Sequence, residues 1–407
     1  MNPHPDSTSP AAASPHWRGP VAMLTLGTFA VGTDAFVIAG VLPSVASTMQ
    51  VSVAAAGQLV TVFSLAYALS TPVLGALTAH WPRRTSLVLA MLAFVIGNAW
   101  TALAQGFDMV LLSRVVAAAG AGLYTATASA TAATLAGPQR RGQAIALVML
   151  GLTSSLVLGA PLGTAISALW NWRFTLWLVT ALGAVAGVAV ALRVPPLREA
   201  AAGGFAARFA PLRDRVVLGA LLRTMVVFTG VYIPYTYISA VYAPVTATRP
   251  QLLTLILLLF GIAGTAGNLL AGRLADRIGP TRVIAMGSAG LIAIFLAIPW
   301  LRGSVPLALL AAVVSGVFAF SLTTPQQHHI LAHAPPGTQS FVTALYQAVL
   351  YFAVSLSGAL GALALQFLDA RLLAPLGAAF VAVSLALVIA AARGESPAST
   401  QAACTNP

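Results

Sequence analysis

Twelve times between residue 21 and residue 392 the chain runs apolar for roughly twenty residues or more, the length an α-helix needs to cross the hydrocarbon core of a bilayer. No other feature restricts the fold so far. In lipid every backbone N–H and C=O has to be paired within the structure, so a spanning segment is a helix or a strand of a closed barrel. The runs are continuous and lack the alternation of barrel strands, which leaves helices. They cover roughly 21–46, 57–79, 85–105, 109–135, 143–169 and 173–193, then 216–243, 251–275, 281–301, 305–331, 339–366 and 370–392. Composition agrees: 59% of residues are hydrophobic and 7% charged, against about 25% charged in soluble domains. The expectation is an all-α polytopic protein of the lipid bilayer.

The net charge of +12 comes from twenty basic residues, every one an arginine. They sit in short loops and not along one face with interleaved aromatics, so nucleic acid is excluded as a partner. With the N-terminus inside, fourteen arginines fall in inner segments and four (Arg173, Arg249, Arg302, Arg371) in outer loops. The positive-inside rule then places both termini in the cytoplasm of a cell-membrane protein. The longest break, VPPLREAAAGGFAARFAPLRDR, reads as a linker. The division expected is a tail at 1–19, a six-helix bundle at 20–193, the linker at 194–215, a second bundle at 216–392 and a tail at 393–407. Cys404 lies in the second tail, and as the single cysteine it forms no intrachain disulfide. The polar start and the length of the first apolar run argue against a cleavable signal peptide.

The halves repeat. GALTAHWPRR at 75–84 aligns with GRLADRIGPT at 272–281, an offset of 197, and LGAPLGTA at 158–165 with LSGALGAL at 356–363, an offset of 198. Internal repeats of this kind are common in transporters. They imply two pseudo-symmetric six-helix bundles facing each other across a central cavity.

Asp34 is the only acidic residue inside any of the twelve runs. An ionisable group at membrane depth is a functional candidate by default. A carboxylate that moves between wet and dry surroundings changes its hold on a proton, which is what proton coupling requires. The competing reading is a static polar pair with Arg114 that only fixes helix packing. Arg114 lies about five residues into the fourth run, where it either faces the interior or snorkels to the interface. Gly159, Pro161 and Gly163 remove side chains and one N–H from the fifth run, letting it bend and pack closely. In the seventh run Tyr232, Tyr235, Tyr237 and Tyr242 cluster around Pro234. Tyr235 and Tyr232 are candidates to line a ligand cavity and Tyr242 to join an interfacial belt. Asn98 and Gln347 are further candidate polar ligand contacts. His328, His329 and His333 lack a carboxylate or cysteine neighbour and read as surface histidines, with no metal.

Four of these stretches carry a family resemblance. GRLADRIG at 272–279 matches a loop motif found between spans two and three and again between eight and nine. SRVVAAAGAG at 113–122 matches a fourth-span motif with a membrane arginine. GAPLGTAISALWNWRFTLW at 159–177 matches the Gly-Pro motif of antiporter span five, and GTDAFVIAGVLP at 32–43 resembles a first-span efflux signature. The chain from about residue 20 to 392 resembles the major facilitator superfamily, and within it the twelve-span drug:proton antiporters related to chloramphenicol and arabinose efflux permeases. The resemblance implies a monomeric exporter working by alternating access, powered by the proton gradient with no cofactor. It implies a small amphipathic substrate such as a phenicol, with Asp34 and Arg114 in proton coupling. It assigns conformational roles to Gly75, Arg83, Arg84, Gly272, Asp276, Arg277 and Gly279, and to the three residues of the Gly-Pro motif. Two departures stand out. The first loop copy has Ala79, His80 and Pro82 where the family has an acid, a base and a glycine, and the subgroup's acid falls one position later, at Ala35.

An exporter or facilitator of sugars or nucleosides on the same fold is the alternative, disfavoured by the few polar side chains in the runs. The chain lacks a G-x-x-x-x-G-K-[ST] phosphate loop, which argues against ATP-driven transport, and no arrangement of nucleophile and base suggests an enzyme.

Overall fold

The computed structural model describes residues 17–137, 139–197, 215–332 and 339–394. Twelve helices in it are long and apolar enough to cross a membrane, and no strand occurs among the described residues. The first six are α1 Arg18–Met49, α2 Val53–Leu77, α3 Arg83–Leu103, α4 Phe107–Ala136, α5 Arg141–Leu169 and α6 Trp172–Arg193. The second six are α7 Arg215–Thr236, α8 Gln251–Ile278, α9 Pro280–Leu301, α10 Val305–Leu331, α11 Gln339–Phe367 and α12 Leu373–Gly394. Most of the linker and both tails lie outside the described residues.

Local chemistry fixes the turns. Gln50 takes the left-handed conformation that ends α1, Ser52 caps α2 through the Ala55 N–H, and Asn171 caps α6 through the Arg173 N–H. Gly279, at φ 89°, ends α8 where a side chain would be strained. Short connections alternate the chain between a proximal end, which carries the termini side of α1 and α12, and a distal end.

The repeat is visible in the packing. In the first bundle α1 packs on α5 and α6, α2 on α4, and α3 on α4 and α6; in the second, α7 packs on α11 and α12, α8 on α10, and α9 on α10 and α12. Small residues let the backbones meet. Gly97 lies on the Ala117 backbone and Gly120 on Ala90 and Phe94, while Gly267 lies on Val317 and Gly316 on Phe260.

Four helices are interrupted, and α2 breaks at Gly57 into Val53–Ala56 and Gln58–Leu77. In α5 a π-helical turn, Ser155–Gly159, precedes Pro161; Gly159 sits against Thr33, and Gly163 against Val37 and Thr175. Such turns form where the i→i−4 ladder is broken, and Pro161 supplies no N–H. α10 breaks at Leu322 into Val305–Ser321 and Thr323–Ala332. α7 ends at Thr236 and not near residue 243 as its apolar run suggests. Beyond it come single turns at Ile238–Val241 and Ala243–Thr246, because Pro234 weakens the last turn and Tyr237 leaves helical geometry.

The break in α7 has a structural consequence. It turns Tyr237 into the seam, where its ring meets Gly57 of α2 in the first bundle and Gly361 of α11 in its own, and its hydroxyl donates to the Gly358 carbonyl at 2.7 Å. Gly358 itself lies on Thr61 of α2, and Gly261 of α8 on the Leu156 backbone of α5. These contacts close the distal half of the interface between the bundles.

Candidate functional site

Asp34 lies midway along α1 and is fully buried. The Arg114 Nη1 of α4 donates to its Oδ1 at 2.7 Å, and Arg114 too is fully buried. Asn98 of α3 bridges the pair: its Nδ2 donates to Asp34 Oδ2 at 3.3 Å, and its Oδ1 accepts from Arg114 Nη1 at 3.2 Å. The Phe94 carbonyl, one turn earlier, accepts from the same Nδ2 at 3.1 Å and fixes the amide orientation. The guanidinium rests 4.3 Å from the ring centroid of Phe63 on α2, a cation–π contact. Four helices of one bundle therefore converge on a single carboxylate.

The pair is end-on. Arg114 Nε and Nη2 have no hydrogen-bond partner among the described residues, so the bidentate fork that makes arginine–carboxylate pairs strongest is not used. A buried ion pair repays its desolvation only with good geometry and further hydrogen bonds. This one is held by a single short contact, one amide and an aromatic face.

Beside it, between the bundles, lies a cavity of about 190 Å³. The first bundle contributes Ala35, Phe36, Ser64, Met149, Thr153 and Leu156; the second contributes Tyr232, Tyr235, Asn268, Gln327, Tyr346, Gln347 and Tyr351, with Phe320, Thr323 and Thr324. Asp34 is not on this wall, but the next residue is. One step along a helix turns a side chain by about 100°, so the shift of the acid from position 35 to 34 trades a place on the cavity wall for one inside the bundle.

Tyr235 packs edge-on to Phe36 at 6.2 Å and to Tyr232 at 5.8 Å, and its hydroxyl donates across the interface to the Phe36 carbonyl at 3.3 Å. Tyr232, Tyr235 and Gln347 all line the cavity. Asn98 does not: it is consumed by the ion pair, because the strongest acceptor and donor within its reach are Asp34 and Arg114. Tyr242 is no interfacial residue either. It is 3% exposed and packs in the apolar core with Phe295 and Ile298 around a small recess, since the broken α7 folds it inward.

The loop-motif residues lie at the proximal end. Arg84, Asp276 and Arg277 are exposed, and Asp276 has no ion-pair partner among the described residues. The Arg83 N–H donates to the Leu197 carbonyl at 2.8 Å. A side chain at Gly75 would meet open space, and one at Gly272 only Thr324. His328 is exposed and His333 lies outside the described residues; no group of three or more metal-ligating side chains occurs among those described.

The sequence did not single out Asn268, Thr324, Tyr346 or Tyr351. Asn268 Oδ1 accepts from both the N–H and the hydroxyl of Thr324, at 3.3 and 2.8 Å. The break at Leu322 frees that N–H, as at any helix start. Because a backbone N–H can only donate, the atom facing it is the amide oxygen, and the Asn268 NH₂ is left for the cavity. A polar residue in an apolar run followed by TTPQQHH was the available signal.

The Major Facilitator Superfamily profile matches residues 24–359 and 224–402. The chain belongs to this superfamily. Among similar proteins are the chloramphenicol resistance protein of Streptomyces lividans, 33% identical over 80% of this chain and 84% of that one, and a chloramphenicol efflux pump of Mycobacterium tuberculosis, 32% identical over 72% and 71%. The inner membrane transport protein YdhP of Escherichia coli is 31% identical over 91% and 92%. Among solved structures the nucleoside transporter NupG aligns with TM-score 0.72 at 12% identity, over 92% of this chain and 98% of that one. At that identity the likeness is one of fold. As a member of the major facilitator superfamily, the chain is a multi-pass membrane transporter.

Proposed function

We propose that this transporter is a proton-coupled exporter of small amphipathic compounds, a phenicol among them, in the inner membrane with both termini cytoplasmic. The observation that carries the reading is the buried, end-on Asp34–Arg114 pair one residue from the wall of the cavity. A pair kept only for packing gains most from a bidentate contact. A pair held by one short bond is cheaper to part when Asp34 takes a proton. One proton entering down a potential of about 100 mV releases about 2.3 kcal/mol, enough for a gradient of nearly fiftyfold in a neutral substrate.

The cavity suits the substrate class. Aromatic rings from Phe36, Tyr232, Tyr235, Phe320 and Tyr346 offer stacking surface, while Asn268 presents N–H donors to a nitro, carbonyl or hydroxyl oxygen. The two chloramphenicol-resistance relatives favour the same class. With the distal half sealed and the cytoplasm at the proximal end, this conformation is the inward-facing one, and Asp276, without an ion-pair partner among the described residues, belongs to a loop latch that engages when the proximal ends close.

The polar group around Asn268, Gln327 and Gln347 also accommodates a nucleoside, which is the second reading. Expression in a pump-deficient bacterial host decides between them. Raised resistance to chloramphenicol, abolished by an uncoupler, supports drug export. No shift across amphipathic antibiotics, with export of a labelled nucleoside or pentose, replaces it.

A further inference from the structure

One side chain between the cavity and the Asp34–Arg114 pair comes from the opposite bundle. Tyr351 of α11 lines the cavity, yet it packs in the hydrophobic core of the first bundle and is 5% exposed. Its ring stacks on Tyr67 of α2, with centroids 3.6 Å and planes 18° apart. Tyr67 also packs at 6.4 Å from Phe63, one turn away on the same helix. Ala35, the residue after Asp34, packs against the same core cluster as Tyr351 and shares the cavity wall with it. One turn from Tyr67 on the same helix, Phe63 carries the Arg114 guanidinium. An aromatic file thus runs from the arginine through Phe63 and Tyr67 to a ring owned by the other half.

The same two helices also seal the distal interface. One turn beyond Tyr351, Ser355 Oγ donates to the Thr61 carbonyl of α2 at 2.9 Å, and Gly358 lies on Thr61. Any motion that opens this α2–α11 seam draws Tyr351 away from Tyr67.

We propose that the Tyr67–Tyr351 stack is a conformation-dependent cover over the Asp34 proton site, closed while the distal seam is closed and parted when the bundles separate there. Tyr351 is a positioning residue: it governs when the carboxylate is reached and does not itself carry the proton. The inference rests on the proton-coupling reading and specifies how access to the coupling carboxylate is tied to the state of the cavity.

The probe is dicyclohexylcarbodiimide, an apolar reagent that modifies protonated carboxyl groups. It is applied to the full chain in lipid nanodiscs without substrate, and modification of Asp34 is followed by mass spectrometry. The adduct is normalised to the unmodified peptide bearing Asp34 in the same digest. Tyr351→Ala and Tyr67→Ala should each raise the rate at Asp34 about threefold to tenfold, the range to which a lost aromatic stack converts. Tyr351→Phe, which keeps the stacked ring, should stay near wild type, and Asp34→Asn should show no adduct at position 34. Should an alanine variant fail to give monodisperse protein, Tyr351→Leu and Tyr67→Leu remove the stack with less loss of volume. Wild-type rates in the stack-less variants, or a Tyr351→Phe rate equal to that of Tyr351→Ala, overturns the cover. Substrate-driven proton release by the wild type is measured separately. Its absence rejects the coupling reading, whatever the labelling pattern.

Discussion

The two bundles share a packing scheme and divide the chemistry. At the offset of 197 that aligns the halves, Asp34, Asn98 and Arg114 correspond to Val231, Phe295 and Ala311, all three buried in the apolar core. In the other direction, Tyr232, Tyr235, Asn268 and Tyr346 of the cavity wall correspond to Ala35, Ile38, Thr71 and Met149. One bundle holds the buried charges and the other most of the ligand wall. The symmetry belongs to the backbone, where small residues set helix contacts, and the function belongs to its violation. On the proton-coupling reading proposed above, this separation matters: a proton site and a ligand site on one rigid body would move together, whereas on opposite bodies each would report on the other through the interface.

The sharpest way to break the comparison is Asp34→Asn. It keeps the shape and an amide that still bonds to Arg114, but removes the only buried acidic group among the described residues. The expected outcome is complete loss of pH-driven efflux, while chloramphenicol binding to purified protein stays within a few-fold of wild type. An Asn variant that still builds a pH-dependent gradient puts coupling elsewhere and leaves the ion pair a packing device.

Arg114→Ala comes next. Removing one partner of a buried pair leaves an uncompensated charge and costs about 3–5 kcal/mol, so both stability in detergent and transport should fall. Arg114→Lys should recover part of the stability and little of the transport, because a compact, strongly hydrated ammonium cannot lie flat on the Phe63 ring as the guanidinium does while it bonds to Asp34 and Asn98. Thermal unfolding and efflux measured side by side test this, and full transport by Arg114→Ala is the result against it.

How much of this division could be read from sequence follows from the physics of each part. Helix number was legible because lipid imposes a length and a hydropathy that no soluble segment imitates, and Asp34 because an acid in such a run has no cheap explanation. Arg114 was ambiguous: depth in a helix does not say which way a long side chain turns, and only packing decided it. Asn98 and Tyr242 were misplaced for the same reason, being read from residue type when Asn98 finds its partner 64 residues away and a folded-back turn carries Tyr242 to Phe295 and Ile298 of α9. The polar wall at Asn268 was missed because its orientation depends on the break at Leu322; Pro325 marks that break, but a proline on α10 does not say which way an amide on α8 turns. The cavity itself belongs to two bundles at once, and no window of one helix contains it.

Asn268→Leu sharpens the other side of the comparison. It removes the amide donors in the cavity and leaves the Thr324 N–H without its acceptor. Loss of one or two hydrogen bonds to a ligand oxygen is worth about 1–2 kcal/mol, so chloramphenicol affinity should drop about tenfold. Substrate-independent proton movement through the first bundle should be unchanged. Asn268→Asp keeps the acceptor for Thr324 but reverses the polarity presented to the ligand, and should bind no better than the leucine variant. Equal affinity in all three proteins removes Asn268 from the ligand site.

The smallest effect is expected from Tyr235→Phe, which tests whether the two bundles communicate through this point. The hydroxyl makes one long hydrogen bond, 3.3 Å, to the Phe36 carbonyl of the opposite bundle. The ring contacts with Phe36, Tyr232 and Phe260 do not need it. A neutral hydrogen bond of this kind nets about 1 kcal/mol or less, and the ring, which carries the stacking surface for an aromatic ligand, survives. Affinity should therefore change by no more than about fivefold. Since the bond exists only while the cavity halves are this close, the change should appear in the rate of exchange between conformations more than in thermal stability. A loss of affinity beyond tenfold would mean that the hydroxyl binds the ligand directly, moving Tyr235 from the wall of the cavity to its recognition chemistry.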